Sequence, residues 1–154
     1  MNNECIFKTP LAHMLLYEKD GEIIHASFTR KRLKRTSNPT LLHAQKEIIE
    51  YFEGLRKRFT IKINPHGTVY QKKVWQELLQ IKYGQTKYYS DIAKLLKSSP
   101  RAVGNACGSN PCLLIIPCHR VISKNKKSGG FSAFGGIIHK NILLEKEKIK
   151  HIRH

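Results

Sequence analysis

One stretch of five residues constrains this chain more than any other. Pro117-Cys118-His119-Arg120-Val121 stands directly after the apolar run Leu113-Leu114-Ile115-Ile116. The run reads as a buried strand, so it delivers a cysteine, a histidine and an arginine to the edge of a core. Burial in apolar surroundings raises the pKa of a thiol and leaves it inert, whereas a neighbouring cation or base favours the nucleophilic thiolate. Both kinds of neighbour lie within two residues of Cys118. Two readings stand at this point: a core cysteine with incidental polar neighbours, or an activated nucleophile.

The charge bears on which is right. Twenty-eight Lys and Arg against eleven Asp and Glu give a net +17 over 154 residues. Up to Asn64 there are 12 basic and 7 acidic residues, net +5; beyond it 16 and 4, net +12, so the excess lies mainly with the part that holds Cys118. Such a balance points to a polyanionic partner, most simply nucleic acid. An anionic membrane surface is the rival, but no basic helix with an exposed apolar face is evident. No apolar run reaches the ~18 residues of a membrane span. The N-terminal ten residues lack a basic flank followed by an apolar core, so an intracellular protein is expected, cytoplasmic or nuclear. Cys5, Cys107, Cys112 and Cys118 make no disulfide framework in a chain this long, and no C-x-x-C pair suggests a structural metal. No cofactor and no metal are expected.

Along the chain, two apolar runs, Leu11–Tyr17 and Ile23–Phe28, flank Asp20-Gly21, which signals a hairpin. A basic run, Thr29 to Arg35, reads as a loop. Leu41, Leu42, Ala44, Ile48, Ile49 and Phe52 recur at helical spacing from Pro39 to Gly54, and Phe59–Ile63 alternates as a short strand. Asn64-Pro65-His66-Gly67 breaks the pattern, which sets a boundary between lobes 1–64 and 65–154. In the second lobe Thr68, with Gln71 three residues on, predicts a capped helix to about Ile81 with Val74, Trp75, Leu78 and Ile81 buried. Ser90 or Asp91 starts a second helix, Ile92–Lys97, and Arg101–Gly108 makes a third of small residues; together these outline a helix-turn-helix. A last helix, Ile138–Ile149, turns Ile142, Leu143 and Leu144 inward. The fold class is therefore α/β: a small N-terminal lobe with antiparallel sheet and helix, and a mostly helical C-terminal lobe.

The ordered blocks Gly67-Thr68-x-Tyr70-Gln71-x-x-Val74-Trp75, Tyr88-Tyr89-Ser90-x-Ile92-Ala93, Arg101-Ala102-Val103-Gly104-x-Ala106, Asn110-Pro111, Ile116-Pro117-Cys118-His119-Arg120-Val121-Ile122, Gly135-Gly136 and Lys140–Glu147 resemble the O6-alkylguanine-DNA alkyltransferases. The likeness covers about residues 65–150 and extends more weakly to Thr9-Pro10-Leu11 and Tyr51–Gly54. It implies a monomer that acts on double-stranded DNA containing O6-alkylguanine, flips the lesion out of the duplex and takes the alkyl group onto Cys118; O4-alkylthymine is left open as a second substrate. Attack on saturated carbon suits a thiolate, and the thioether product resists water, so each molecule reacts once.

By the same resemblance His119 is the base, acting through a water, and Glu147 orients it, with Glu145 as the alternative. An extended chain would point Cys118 and His119 to opposite sides, which is why a water relay suits the pair. Asn110 braces the turn around the cysteine. Arg101 is the finger that fills the space left by the base, and Ala102 and Gly104 belong to a helix that lies in the minor groove. Tyr89, Gln71, Ser90 and Lys124 fall at or near further DNA-contacting positions. Backbone groups at Cys118 and Val121 bind the base, and Phe131 and Ser132 line its O6 side. The chain departs from the family at Phe131, where many members carry tyrosine, and at Lys97–Pro100, which is about two residues short. A DNA-binding lesion sensor that performs no transfer, and a cysteine hydrolase, are the alternatives; the first leaves Pro117–Val121 unexplained and the second the net +12 of the second lobe.

Overall fold

Two adjacent residues with positive φ, Asp20 (53°) and Gly21 (82°), reverse the chain between β2 (His13–Lys19) and β3 (Glu22–Thr29). This conformation suits the right-handed twist of paired strands. In the computed structural model, which describes residues 3–124 and 136–147, β1 (Glu4–Lys8) completes an antiparallel sheet of order β1-β2-β3. α1 (Pro39–Phe52) packs on all three strands through Leu41, Ala44, Ile48 and Tyr51. Leu42, on the other side of the helix, is exposed rather than part of the stripe.

Two buried acids tie this unit together. Glu18 accepts from Gly21 N (3.0 Å) in the hairpin turn and from Asn38 Nδ2 (2.9 Å), while Asn38 Oδ1 caps α1 by accepting from Thr40 N (2.9 Å) and Leu41 N (3.2 Å). Glu47 accepts from Thr60 N (2.7 Å) and from the Thr60 hydroxyl. That explains a departure from the sequence expectation: Phe59–Ile63 is no strand. Thr60 is bound to a side chain, and only Ile63 bridges the sheet, beside Ile23.

Residues up to His66 form one unit together with Pro111–Ile115, and Gly67–Asn110 with the described residues from Ile116 form the other. The segment 111–115 therefore leaves the second half of the sequence and joins the first unit, where Ala26 N donates to Pro111 O (2.8 Å) and Leu113 N to Ala26 O (3.0 Å). Leu113–Ile116 is buried as expected but is not a strand: Leu113 and Ile116 are isolated bridge residues on either side of a turn in which Leu114 has φ 72°.

The second unit contains α2 (Val69–Leu79), β4 (Lys87–Tyr88), α3 (Tyr89–Leu95), α4 (Pro100–Gly108), β5 (Val121–Ile122) and α5 (Gly136–Lys146), with β4 and β5 paired in parallel. The Thr68–Gln71 capping box is present. α3 starts earlier than Ser90, because Asp91 Oδ2 accepts from Tyr88 N (3.0 Å) and draws Tyr89 and Ser90 into the first turn. Ser99 caps α4 by accepting from Ala102 N (3.1 Å). In α5, Leu143 and Leu144 are buried but Ile142 is exposed, and the inward position one turn earlier belongs to Lys140.

Trp75 anchors the unit: its ring is 1% exposed and its Nε1 donates to Ala106 O in α4 (2.9 Å). A Cβ on Gly67 would overlap the edge of that ring, lying 2.7 Å from Cζ3. Gly67→Ala is expected to destabilise the protein by about 1–3 kcal/mol through overpacking, read as a lower urea midpoint at unchanged slope.

Candidate active site

The chain around Cys118 is not extended. Cys118 N donates to Ile116 O (2.8 Å) and Arg120 N to Pro117 O (3.0 Å), winding Cys118–Arg120 into a single 3-10 turn. Cys118 and His119 are therefore not forced to opposite sides, because strict alternation holds only for a strand. Asn110 Nδ2 also donates to Ile116 O (2.8 Å), which braces the residue two before the cysteine. All three residues of the turn are buried.

A cluster of charge lies on one side of this turn. Glu147 Oε2 is 2.8 Å from His119 Nε2. Arg120 grips the same carboxylate twice, Nε to Oε1 (2.8 Å) and Nη2 to Oε2 (3.1 Å), and its Nη1 donates to Ile81 O just beyond α2 (2.7 Å). The guanidinium lies 5.8 Å from the Tyr83 ring centre, and the Tyr83 hydroxyl donates to Lys146 O (3.2 Å). Glu145, the alternative orienting carboxylate, is exposed.

Burial pushes the Glu147 carboxyl up, but the hydrogen bonds from His119 and Arg120 and the Arg120 charge outweigh it and hold it at about 2. Burial lowers the His119 pKa; Glu147 opposes that, while Arg120 and Lys140 add to it. Because Arg120 already neutralises the carboxylate, His119 can remain a neutral imidazole that donates Nε2–H to Glu147. Its Nδ1 then carries the lone pair, and that atom is buried with no hydrogen-bond partner among the described residues.

A second cation, Lys140, is fully buried on α5. Its Nζ donates to Val121 O (2.6 Å) and Tyr89 Oη (3.3 Å) and lies 5.5 Å from the Tyr89 ring centre. Burial brings its pKa down to about 8, against the influence of Cys118 and Cys107. Burial also raises the Cys118 pKa, while a hydrogen bond from Asn110 and the Lys140 charge oppose the rise. The thiol thus rests in its neutral form, with an ammonium at hand to stabilise the thiolate and an imidazole nitrogen able to take a proton.

The structure brings together Cys118, His119, Glu147, Asn110, Val121 and Tyr89. Arg101 is exposed in the first turn of α4, while Ala102 and Gly104 are half-buried. A Cβ at Gly104 would make only an ordinary contact, 4.0 Å from Tyr89 Cε1. Gln71 Oε1 is engaged by Thr68 N (2.9 Å) in the helix cap, the Ser90 hydroxyl is buried without a hydrogen-bond partner among the described residues, and Lys124 is exposed. Phe131 and Ser132 lie outside the described residues.

Sequence reasoning missed Lys140 and the grip of Arg120 on Glu147. A signal existed for the first: Lys140, Leu143, Leu144 and Glu147 fall at i, i+3, i+4 and i+7, one helical face that is buried throughout.

The Glu147 carboxyl has a testable consequence. Its folded pKa, about 2, lies below its ordinary value of 4.5, so the unfolded chain binds the proton first as pH falls. Its contribution to stability is full above about pH 4.5 and is lost between there and about pH 2. Denaturant titrations across that range should show a steeper decline for the wild type than for Glu147→Gln, which has no such proton to bind and starts less stable.

Residues 69–149 match the family described as "6-O-methylguanine DNA methyltransferase, DNA binding domain". The constitutive methylated-DNA–protein-cysteine methyltransferase of Bacillus subtilis is 33% identical, over 98% of both chains. The inducible protein of the same organism is 49% identical over 66% of this chain, a segment that spans 57% of the relative's own length. Among solved structures, Mycobacterium tuberculosis OGT in complex with DNA superposes with a TM-score of 0.82 at 34% identity, covering 93% of this chain and 91% of that one. The fold, the cysteine site and these likenesses agree, and the chain belongs to the 6-O-methylguanine DNA methyltransferase family.

Proposed function

We propose that this protein repairs DNA by moving an alkyl group, methyl in the simplest case, from O6 of guanine in duplex DNA to Cys118, once per molecule. The observation that carries the reading is a buried thiol within the charge field of Lys140, in the same turn as His119 and Arg120, which are both bound to Glu147. The Cys118 proton leaves by way of His119 Nδ1, directly or through water, and the Lys140 charge stabilises the thiolate. Sulfur attacks the alkyl carbon, the carbon–O6 bond breaks, its electron pair goes to the base, and a proton returns to give guanine. No redox change occurs. The thioether is stable to water, and without a second nucleophile the protein is spent.

A sulfur this deep in the protein cannot meet a stacked base, so the nucleotide leaves the duplex to reach it. Arg101, exposed at the start of α4, is suited to fill the gap, and the small residues behind it allow close approach of the helix backbone to a groove. The minor groove carries little sequence information, which fits a protein that must act wherever the lesion falls. Lys140 occupies the Val121 carbonyl. That oxygen has a second lone pair, so it can still accept from the exocyclic amine of guanine.

Mixing the protein with an oligonucleotide carrying O6-methylguanine should yield a Cys118 peptide heavier by one methylene unit, with unmodified guanine left behind. Cys118→Ala should give no adduct and still bind DNA; an equal adduct yield in that variant would sink the assignment. Arg101→Ala should slow transfer from duplex at least ~10-fold more than transfer from the O6-alkylguanine base alone, since only the duplex demands flipping. Equal slowing on both substrates would remove the arginine from that role.

A further inference from the structure

The charge of the first unit is concentrated in one place. Of the 12 basic residues up to Asn64, five are Arg30, Lys31, Arg32, Lys34 and Arg35; the other seven balance the seven acids. Apart from this run, the segment is formally neutral. The run holds no acidic residue, and all five cations are exposed. Lys34 lies 3.6 Å from Glu4, a contact at the surface.

The run is also held in place. Ile6 N donates to Lys34 O (3.0 Å) and Lys34 N to Ile6 O (2.9 Å), which sets residue 34 against β1, a strand at the margin of its sheet. Lys31 O lies 2.9 Å from His13 Nδ1, and Lys31 N donates to Thr29 Oγ1 (3.2 Å). The cations thus stand on an anchored ridge. Guarding a strand edge against other chains does not call for an unbroken cluster of cations. Five like charges in six residues repel one another, and that repulsion is relieved by a ligand with closely spaced negative charge. A duplex backbone carries one per about 1.7 Å. Membrane-surface binding usually draws on an apolar helical face or a lipid chain as well, and this non-helical run offers one exposed apolar side chain, Leu33.

We propose that Arg30, Lys31, Arg32, Lys34 and Arg35 form a second DNA contact, made by the first unit to the phosphate backbone, in addition to the one assigned to α3 and α4. The inference rests on the DNA-repair reading above. Such a contact is independent of sequence and of damage, so it holds the protein on undamaged duplex while lesions are sought.

Two variants with equal change in net charge test it. One replaces the five cations of the run by Gln; the other replaces five exposed cations elsewhere on the same unit, Lys8, Lys19, Lys46, Arg58 and Lys62. Binding to undamaged duplex is followed by fluorescence anisotropy over a salt series, with thermal melting as the check on folding. The run variant should bind at least ~10-fold more weakly at low salt, and its slope of log K against log salt should be shallower by about 2 or more, at roughly 0.9 for each phosphate no longer neutralised. The control variant should keep the wild-type slope. Equal weakening in both variants, or none in the run variant, would overturn the proposal. So would a run variant that keeps duplex binding but loses binding to phosphatidylserine vesicles. If the five-fold variant unfolds, Arg32→Gln with Arg35→Gln serves, with a slope shallower by about 1–2. Transfer from O6-alkylguanine base to Cys118 is measured in all three proteins and should be unchanged. A wild type that takes up no alkyl group would defeat the parent reading instead, whatever the slopes.

Discussion

The second unit depends on the grip of Arg120 on Glu147. A carboxylate and a guanidinium are both withdrawn from water here, at a desolvation cost that only close, multiple hydrogen bonds can offset. The geometry meets that demand with two bonds from Arg120, one from His119, and a third Arg120 bond to the Ile81 carbonyl. One interaction thereby connects the 3-10 turn, the segment just beyond α2 and the residue that follows α5. Breaking such a pair by removing one partner typically costs about 3–5 kcal/mol, because the other charge remains buried. The pair also sets the chemistry. With Glu147 already neutralised, His119 has no need to be charged, and its second nitrogen is left as a base.

Cys118 is governed by opposed influences. Burial favours the thiol; Asn110 and the Lys140 charge favour the thiolate. Lys140 is itself perturbed by the same burial, which brings its pKa down to about 8. It is retained there by the Val121 carbonyl and the Tyr89 hydroxyl. The result is a thiol that is quiet at rest and, in the proposed reaction, would become reactive only with the help of a base. That behaviour suits a protein for which a wasted reaction is a lost molecule.

Much of this was legible in the residues. Asp20-Gly21 between two apolar runs announced the hairpin, and Thr68 with Gln71 announced the start of α2, because both signals are local and need no partner. Where the expectation failed, a partner distant in sequence had intervened. Phe59–Ile63 alternates like a strand, yet Thr60 N is taken by Glu47, thirteen residues earlier. Leu113–Ile116 looks like a strand, yet a turn at Leu114 between isolated bridge residues replaces it. Ile142 was placed inward from hydrophobicity alone, while the buried position one turn before Leu143 and Leu144 went to a lysine.

Residue identity and short-range spacing were enough to single out Cys118 and its polar neighbours, the order of the helices and the basic character of the chain. Which carboxylate meets His119 was settled in three dimensions. Glu145 and Glu147 are two residues apart on one helix and about 200° apart around it, and it is the burial of the Lys140–Leu143–Leu144 face that carries Glu147 inward and leaves Glu145 in water. The same burial converted Lys140 from one basic residue among 28 into the charge beside the thiol. Residue type sets what a group can do; the neighbours that make it do so are supplied by the fold.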